Sequence, residues 1–374
     1  MIYLDNGATS FPKPEVVRRA VAAAMRCCAN PGRGGYSAAM AAVEQMYACR
    51  EAAARLFDCK PEQVVLTSSC THGLNIAIQT LVKPGDRVVI TGFEHNAVTR
   101  PLHALGAQII VAGRKLFDPE DTLLAWEEAL RRGVDAAVFT HISNVFGYVL
   151  PVTEMAALCR QYGVPFVVDA AQSAGSLPVS LREWGADFIA MPGHKGLLGP
   201  MGTGLLLCGR LPKPLLAGGT GSESRNQEMP DFLPDRGEPG TPNVAGTAGL
   251  AAGIALVRCL GLPEIARNEH REAMRCAEGL KRLGFSVFSG PYQAGTVSFL
   301  PPIDCEEAAQ YLAQQGIAVR AGLHCAPLAH ESVGTLETGT VRLSFGPWAT
   351  PAQSRAFLQA ARQLLQGKTA LMRS

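Results

Sequence analysis

Pro165-Phe166-Val167-Val168-Asp169-Ala170-Ala171-Gln172-Ser173 is the stretch that decides the fold of this 374-residue chain. An apolar run of strand length ends on an aspartate and passes into small residues. A strand that is apolar at every position has both faces covered, which points to a sheet between helical layers. Working outward, residues 187–190 read as the next strand, and 204–208 as another. Upstream, residues 64–67, 87–91, 108–112 and 136–141 read as strands. Helical patterns at 71–81, 95–105, 119–132 and 153–162 alternate with them, and two further helices, 14–26 and 38–57, come before the first strand. This alternation predicts an α/β fold with a mostly parallel sheet, whose ligand crevice lies at the carboxyl ends of the strands. Residues 217–243, rich in glycine, proline and charge, read as a long ordered loop or crossing segment. Beyond them, helices at 247–260, 263–283, 305–315 and 351–365 and strands at 297–299 and 341–345 suggest a small C-terminal domain. The expected division is a large domain over 16–250 and a smaller α+β domain from 1–15 and 251–374.

Composition narrows the class. Hydrophobic residues make up 47% and charged residues 18%, enough apolar material for a substantial core and unlike a disordered chain. The formal net charge is +2 and no long run of Lys or Arg is present, so no nucleic-acid surface is expected. The longest apolar stretch, 248–256, is too short to span a bilayer, and the first residues lack the basic and apolar regions of a signal peptide. The 11 cysteines are odd in number and irregular in spacing, and none has metal-ligand spacing. They predict a reducing, cytoplasmic setting without membrane or metal sites. Most read as inert core thiols; Cys325 is placed differently.

Six segments carry candidate chemistry. In Met191-Pro192-Gly193-His194-Lys195-Gly196-Leu197-Leu198-Gly199-Pro200, a lysine follows a strand between glycines; taken alone it is an ordinary solvated lysine. Asp169 closes a buried strand 26 residues earlier. Buried carboxylates need partners. A protonated pyridine ring is one, and capping of a following helix is another. Thr67-Ser68-Ser69-Cys70-Thr71-His72-Gly73-Leu74-Asn75 leads small polar residues into a helix, which suits either a phosphate cradle or a simple cap. In Gly92-Phe93-Glu94-His95-Asn96-Ala97, His95 could stack on a planar cofactor or lie on the surface. In His141-Ile142-Ser143-Asn144-Val145-Phe146-Gly147, Asn144 is a cofactor contact or a turn residue. Finally, Val319-Arg320-Ala321-Gly322-Leu323-His324-Cys325-Ala326-Pro327 places a cysteine beside a histidine, where an imidazole favours the reactive thiolate. Arg342, in Gly339-Thr340-Val341-Arg342-Leu343-Ser344-Phe345, offers a planar fork for a carboxylate. A buried structural cysteine and a surface arginine are the plainer alternatives.

Taken in order, these segments resemble the cysteine desulfurases of the class V aminotransferase group, which are fold-type I pyridoxal-phosphate (PLP) enzymes. The resemblance runs from Tyr3-Leu4-Asp5-Asn6-Gly7-Ala8-Thr9 to Arg342. The Arg-x-Gly-x-His-Cys-Ala form at 320–326 looks like the SufS/selenocysteine-lyase-like branch. The resemblance implies pyridoxal 5'-phosphate held as a Schiff base on Lys195, which also carries a proton. Asp169 would pair with the pyridine nitrogen and His95 stack on the ring. Asn144 and Gln172 would reach its phenolic oxygen. Cys70, Thr71 and His194 would also contact the cofactor, the last two at its phosphate. Gly240-Thr241-Pro242-Asn243 would reach the phosphate of a partner subunit, implying a homodimer. Arg342, Arg320, Asn6, Gly7 and Ala8 would surround the substrate, L-cysteine or selenocysteine. Cys325 would take its sulfur as a persulfide, release alanine, and pass the sulfur to an acceptor protein.

Three positions depart from the family pattern. Pro192 stands where a phosphate-binding Ser or Thr is usual, Leu323 where a histidine is common, and His72 where glutamate is frequent. Other reactions on the same scaffold remain open: selenocysteine lyase, cysteine-sulfinate lyase, kynureninase-like hydrolysis or transamination. A scaffold that kept the fold without catalysis is a third reading. A nucleotide-binding dehydrogenase is disfavoured, because no G-x-G-x-x-G follows an early strand.

Overall fold

Strands that are apolar at every position demand cover on both faces, and the chain supplies it with two helical layers. The computed structural model describes residues 1–32 and 34–371. The chain begins with β1 (Ile2–Tyr3), α1 (Glu15–Cys27), α2 (Ser37–Phe57), β2 (Val64–Thr67), α3 (Cys70–Leu81), β3 (Arg87–Thr91), α4 (Asn96–Ala104) and β4 (Gln108–Ala112). It continues through α5 (Pro119–Arg131), β5 (Ala136–Thr140), α6 (Val152–Gln161), β6 (Phe166–Asp169), α7 (Leu181–Trp184), β7 (Phe188–Pro192) and β8 (Gly204–Cys208). After residues 209–243 come α8 (Val244–Leu260), α9 (Leu262–Arg282), β9 (Ser286–Phe288), β10 (Thr296–Leu300), α10 (Cys305–Gln314), β11 (Ile317–Ala318), β12 (Arg320–Gly322), α11 (Pro327–Val333), β13 (Thr340–Ser344) and α12 (Pro351–Leu371).

The large sheet has seven strands in the order β2-β8-β7-β6-β5-β3-β4. Only β8 runs against its neighbours, β2 and β7. All five residues of β5 are buried because successive side chains enter opposite cores. Ala136 and Val138 pack with Leu74, Ile78 and Leu102 of α3 and α4. Ala137 and Phe139 pack with Phe57, Trp126 and Met155 of α2, α5 and α6. The structure is therefore the mostly parallel α/β fold that the strand pattern implies. The strand at 187–190 extends to Pro192, and the helices expected from 71 and 95 begin at Cys70 and Asn96. No single helix among the described residues is long and apolar enough to cross a membrane.

A second core belongs to a four-stranded antiparallel sheet, order β12-β13-β10-β9, with α9, α10 and α12 against it. Here the pattern left β9 and β12 unread. Each has three residues with little burial, so neither shows a strand's alternation. The N-terminus is part of this unit. Strand β1 pairs parallel with β11, Leu4 sits in the second core, and Asp5 bridges to Ser344. The expected boundary at 250/251 falls inside α8. Its Leu250 and Ile254 join the large core, while Val257 meets Leu198 and Ile265 of α9, so this helix is the shared joint.

Residues 217–243 contain little regular structure beyond a short turn of helix at Asp235–Gly237. A buried ion pair holds them down. Arg50 of α2 donates to both oxygens of Glu238, at 2.7 and 2.6 Å, and to the carbonyl of Val64, while the Leu66 amide donates to the same carboxylate. Removing one partner of such a pair strands a buried charge, whereas replacing both with apolar groups does not. Glu238→Ala is expected to lower the unfolding free energy by about 3 kcal/mol, and the double variant Arg50→Met/Glu238→Leu by much less. Urea denaturation of the three proteins checks this.

Candidate active site

Strands β6 and β7 are parallel neighbours, so their carboxyl ends bring Asp169 and the turn bearing Lys195 to the same edge of the sheet. The turn is tightly held. The Gly193 amide donates to the Thr203 carbonyl at 2.8 Å, Gly199 to Gly193 at 2.8 Å, and Leu198 to Lys195 at 2.9 Å. A side chain at residue 196 would put its Cβ 2.4 Å from the Ala174 carbonyl, and one at 253, on α8, would stand 2.3 Å from that of Leu197. Glycine at these positions lets backbone pack on backbone and fixes Lys195 from both sides. Burial pushes the Lys195 amine down, Arg342 adds to the effect, and Asp169 opposes it. The neutral, nucleophilic amine is thus more available than on a solvated lysine.

Asp169 is buried, and its Oδ1 accepts from the Ala171 amide at 2.8 Å and from the Cys70 thiol at 3.4 Å. Its Oδ2 makes no hydrogen bond among the described residues and is free to meet a ring N–H. His95 caps α4, with Nδ1 accepting from the Ala97 amide at 3.0 Å. Burial lowers its pKa, so the ring is neutral with its proton on Nε2 and suited to stacking. At the start of α3, Ser69 caps the His72 amide at 3.1 Å, which leaves the earlier amides of Cys70 and Thr71 available for an anion. His72 instead braces the cap, with Nδ1 3.3 Å from the Ser68 amide and hydroxyl. His194 Nδ1 is buried without a partner, and burial, Lys195 and Lys13 hold the ring neutral, at about 4. A buried amine, a free carboxylate oxygen, open helix-end amides and an orphaned imidazole nitrogen are what PLP would satisfy, so these residues fit the cofactor.

The other end of the crevice is cationic. Arg320 and Arg342 face each other across β12 and β13, and Asp5 bridges them, at 3.2 Å from Arg320 Nε and 2.7 Å from Arg342 Nη2. Arg342 Nη1 donates to the Asn144 carbonyl at 3.0 Å, while its Nε is buried without a partner. The Asn144 amide is engaged at 2.8 Å by the His324 carbonyl, and the Asn96 amide donates to the Cys325 carbonyl at 2.7 Å. The cysteine loop is thereby anchored to the residue after His95. His324 and Cys325 both adopt left-handed backbone, with φ of 49° and 57°. That turn leaves Cys325 exposed and sends the His324 ring inward, where Nε2 lies 3.2 Å from the Thr340 carbonyl and hydroxyl. Its Nδ1 has no partner, and burial drives its pKa far down. The expectation that the adjacent imidazole activates the thiol is therefore corrected: the backbone turn points His324 away from Cys325.

Of the sequence candidates, Lys195, Asp169, Cys70, His95, Asn144, Gln172, His194, Arg320, Arg342 and Cys325 gather on this edge. Gln172 donates to the Gly7 carbonyl at 3.1 Å, and Gly7 to Ser344 Oγ at 2.7 Å, while the Ala8 amide turns back to Asp5. Asn6 lines a cavity of about 40 Å³ with Lys195, Gln172, Ser344 and Glu269. Thr71 is exposed at the mouth of α3. Thr241 lies apart, in a cavity of about 220 Å³ with Ser68, His72 and Thr203. Sequence reasoning missed Asp5, Lys13 and Glu269. Asp5 stood within the quoted N-terminal motif, but nothing local marks a partner more than 300 residues away. Lys13 donates to the His194 carbonyl at 2.7 Å, and burial lowers it to about 8.

Fold and site together define a fold-type I PLP enzyme. The class-V aminotransferase family profile matches residues 2–357, and the chain belongs to that family. A probable cysteine desulfurase of Pyrococcus abyssi is 32% identical, covering 98% of this chain and 94% of the relative. Another, from Methanothermobacter thermautotrophicus, is 33% identical over 92% of this chain and 89% of its own. The apo structure of the cysteine desulfurase from Thermococcus onnurineus NA1 matches with a TM-score of 0.90 at 32% identity, covering 98% of this chain and 95% of that one.

Glu269 yields a prediction. It makes no hydrogen bond or ion pair among the described residues, and burial pushes its carboxyl up from 4.5 to about 8. A raised acid pKa means the folded protein keeps a proton that the unfolded chain has released. This contribution is fully present below 4.5 and is lost as pH rises towards 8. Glu269→Gln is expected to flatten that decline; urea midpoints at pH 5 and pH 8 for both proteins read it.

Proposed function

We infer that this chain is a cysteine desulfurase that converts L-cysteine to L-alanine and captures the sulfur as a persulfide on Cys325. The observation that carries this reading is an exposed Cys325 thiol on a loop anchored to Asn96, next to His95, and to Asn144, whose carbonyl accepts from Arg342. Transfer of sulfur from free cysteine as a persulfide requires such a thiol absolutely, whereas the other reactions open to this scaffold do not.

Lys195, Asp169, His95, Gln172, His194 and the first turn of α3 would hold PLP, which when bound supplies an electron sink for the substrate's α-carbon. Arg342, with its free Nε, holds the substrate carboxylate, and Arg320, Asn6, Gly7 and Ala8 border it. Lys195 removes the α-proton and returns a proton when the product forms. Cys325 attacks the substrate sulfur; the carbon–sulfur bond breaks as the sulfur–sulfur bond forms. L-cysteine and the Cys325 thiol thus become L-alanine and the Cys325 persulfide, and an exposed persulfide can be handed to an acceptor protein or a small thiol. Residues 16–250 serve as the cofactor-binding domain and 1–15 with 251–374 as the smaller one, with α8 as their common joint.

The working unit is a homodimer. Tyr36, Met40, Val43 and Tyr47 make an exposed apolar stripe along α2 at helical spacing. Tyr47 and Val43 share a cavity of about 700 Å³ with Thr241 and Pro242. A second copy seated there would cover the stripe and receive Thr241 near its own phosphate site. The reducing cytoplasm suits an enzyme with 11 free thiols, one of them reactive.

Purified, PLP-loaded protein given L-cysteine and a reductant should release equimolar alanine and sulfide, and Cys325→Ser should release neither. Sustained sulfide from Cys325→Ser would remove the persulfide from the reading. Val43→Glu/Tyr47→Glu should convert a dimeric sedimentation profile to a monomeric one.

A further inference from the structure

Arg320 and Arg342 are direct cross-strand partners in an antiparallel pair. Like charges so placed repel, and here one of them is also buried at 2% exposure. The chain answers with a single carboxylate. Asp5 gives one oxygen to each guanidinium, Oδ1 to Arg342 and Oδ2 to Arg320. The position of Asp5 is fixed independently: it bridges to Ser344, and the Tyr3 hydroxyl donates to its carbonyl at 3.1 Å. Two guanidiniums and one carboxylate leave one uncompensated positive charge. Arg342 Nε is a buried donor without a partner, and Arg320 uses only its Nε, so the Arg320 Nη groups make no hydrogen bond among the described residues. On the reading that Arg342 anchors the substrate carboxylate, the pair has one unit of positive charge beyond what Asp5 compensates, and Arg342 Nε is the buried donor that would meet the carboxylate.

We propose that Asp5 is a specificity-determining residue: by neutralising one of the two arginines, it restricts the pocket to amino acids with a single anionic group and disfavours those carrying a second. Arg320 is the arginine that would otherwise receive that group. Its side chain is about half exposed, at 49%, and its pairing with Asp5 is the longer of the two. A ligand with a side-chain sulfonate, sulfinate or carboxylate would find the Nη groups of Arg320 open but would meet the Asp5 charge beside them. L-cysteine carries no such group and takes Arg342 Nε without disturbing the triad.

The test uses the PLP-loaded enzyme and reads the absorption change of the bound cofactor during titration with two amino acids that lack a sulfur to transfer as persulfide: L-alanine, with one anionic group, and L-cysteate, with two. The wild type is expected to bind L-alanine more tightly. In Asp5→Asn, which keeps the side chain's shape and removes its charge, the affinity ratio should move towards L-cysteate by about tenfold or more, the size of one charge-assisted hydrogen bond. Asp5→Glu, which keeps the charge, should retain the wild-type preference. An unchanged ratio in Asp5→Asn, or equal weakening of both ligands, overturns the proposal and reduces Asp5 to a tie for the N-terminal strand. If neither amino acid perturbs the wild-type spectrum, the carboxylate-anchor reading itself fails and takes the proposal with it.

Discussion

The carbonyl oxygen of His194 is the point on which the two halves of the site depend. It accepts from the Thr9 hydroxyl at 3.0 Å, the Ser10 amide at 3.0 Å, the Ser10 hydroxyl at 3.2 Å and Lys13 Nζ at 2.7 Å. All four donors lie on the segment that begins at Asp5, and that segment is fixed at its other end by Ser344 and the arginine pair. One short strap thus joins the residue before Lys195 to the residues that would hold a substrate carboxylate. Covalent chain and hydrogen bonds tie the anchor to the amine, in addition to the packing across α8. Catalysis of this kind needs the amine and the α-carbon in register, where small displacements are costly.

Charge is balanced along the same path. Lys195 sits between Arg342, which discourages its proton, and Asp169, which favours it. Asp5 restrains Arg342 from the far side. Were Asp5 absent, Lys195 would face a less compensated guanidinium, so the strap acts on the amine electrostatically as well as mechanically. Neutral histidines complete the arrangement. His95, His194 and His324 are each held uncharged first by burial, which keeps further positive charge out of a crevice that already holds two arginines.

The seven-stranded sheet was legible because its signals are local. Val167, Val168 and Asp169 mark a doubly covered strand by composition alone, and Lys195 follows its neighbour strand within a few residues. The helix start with open amides was legible for the same reason: Ser69, Cys70 and Thr71 lead small polar residues into α3. What escaped depends on contacts across hundreds of residues or on backbone geometry. Asp5 finds Arg342 only because β1 joins β11 and Leu4 is drawn into the second core. Asn144 reads as a turn or cofactor residue, and its amide goes to His324, 180 positions away. The inward His324 follows from two consecutive left-handed residues, neither of them glycine, a conformation no residue-type pattern announces.

That strained turn bears on how the enzyme selects its substrate. Left-handed backbone costs about 1 kcal/mol at each non-glycine residue. It persists here because the carbonyls of His324 and Cys325 and the ring of His324 are all engaged. A loop held through its carbonyls has little freedom to reach for a substrate. On the proposed reading the sulfur would then have to be brought to the thiol, and the arginine fork, gripping the other end of the amino acid, is the feature that would bring it. On that reading, discrimination among substrates would rest with the carboxylate end of the crevice and its charge balance, while the exposed thiol would stay open on its outer side to whatever next receives the sulfur.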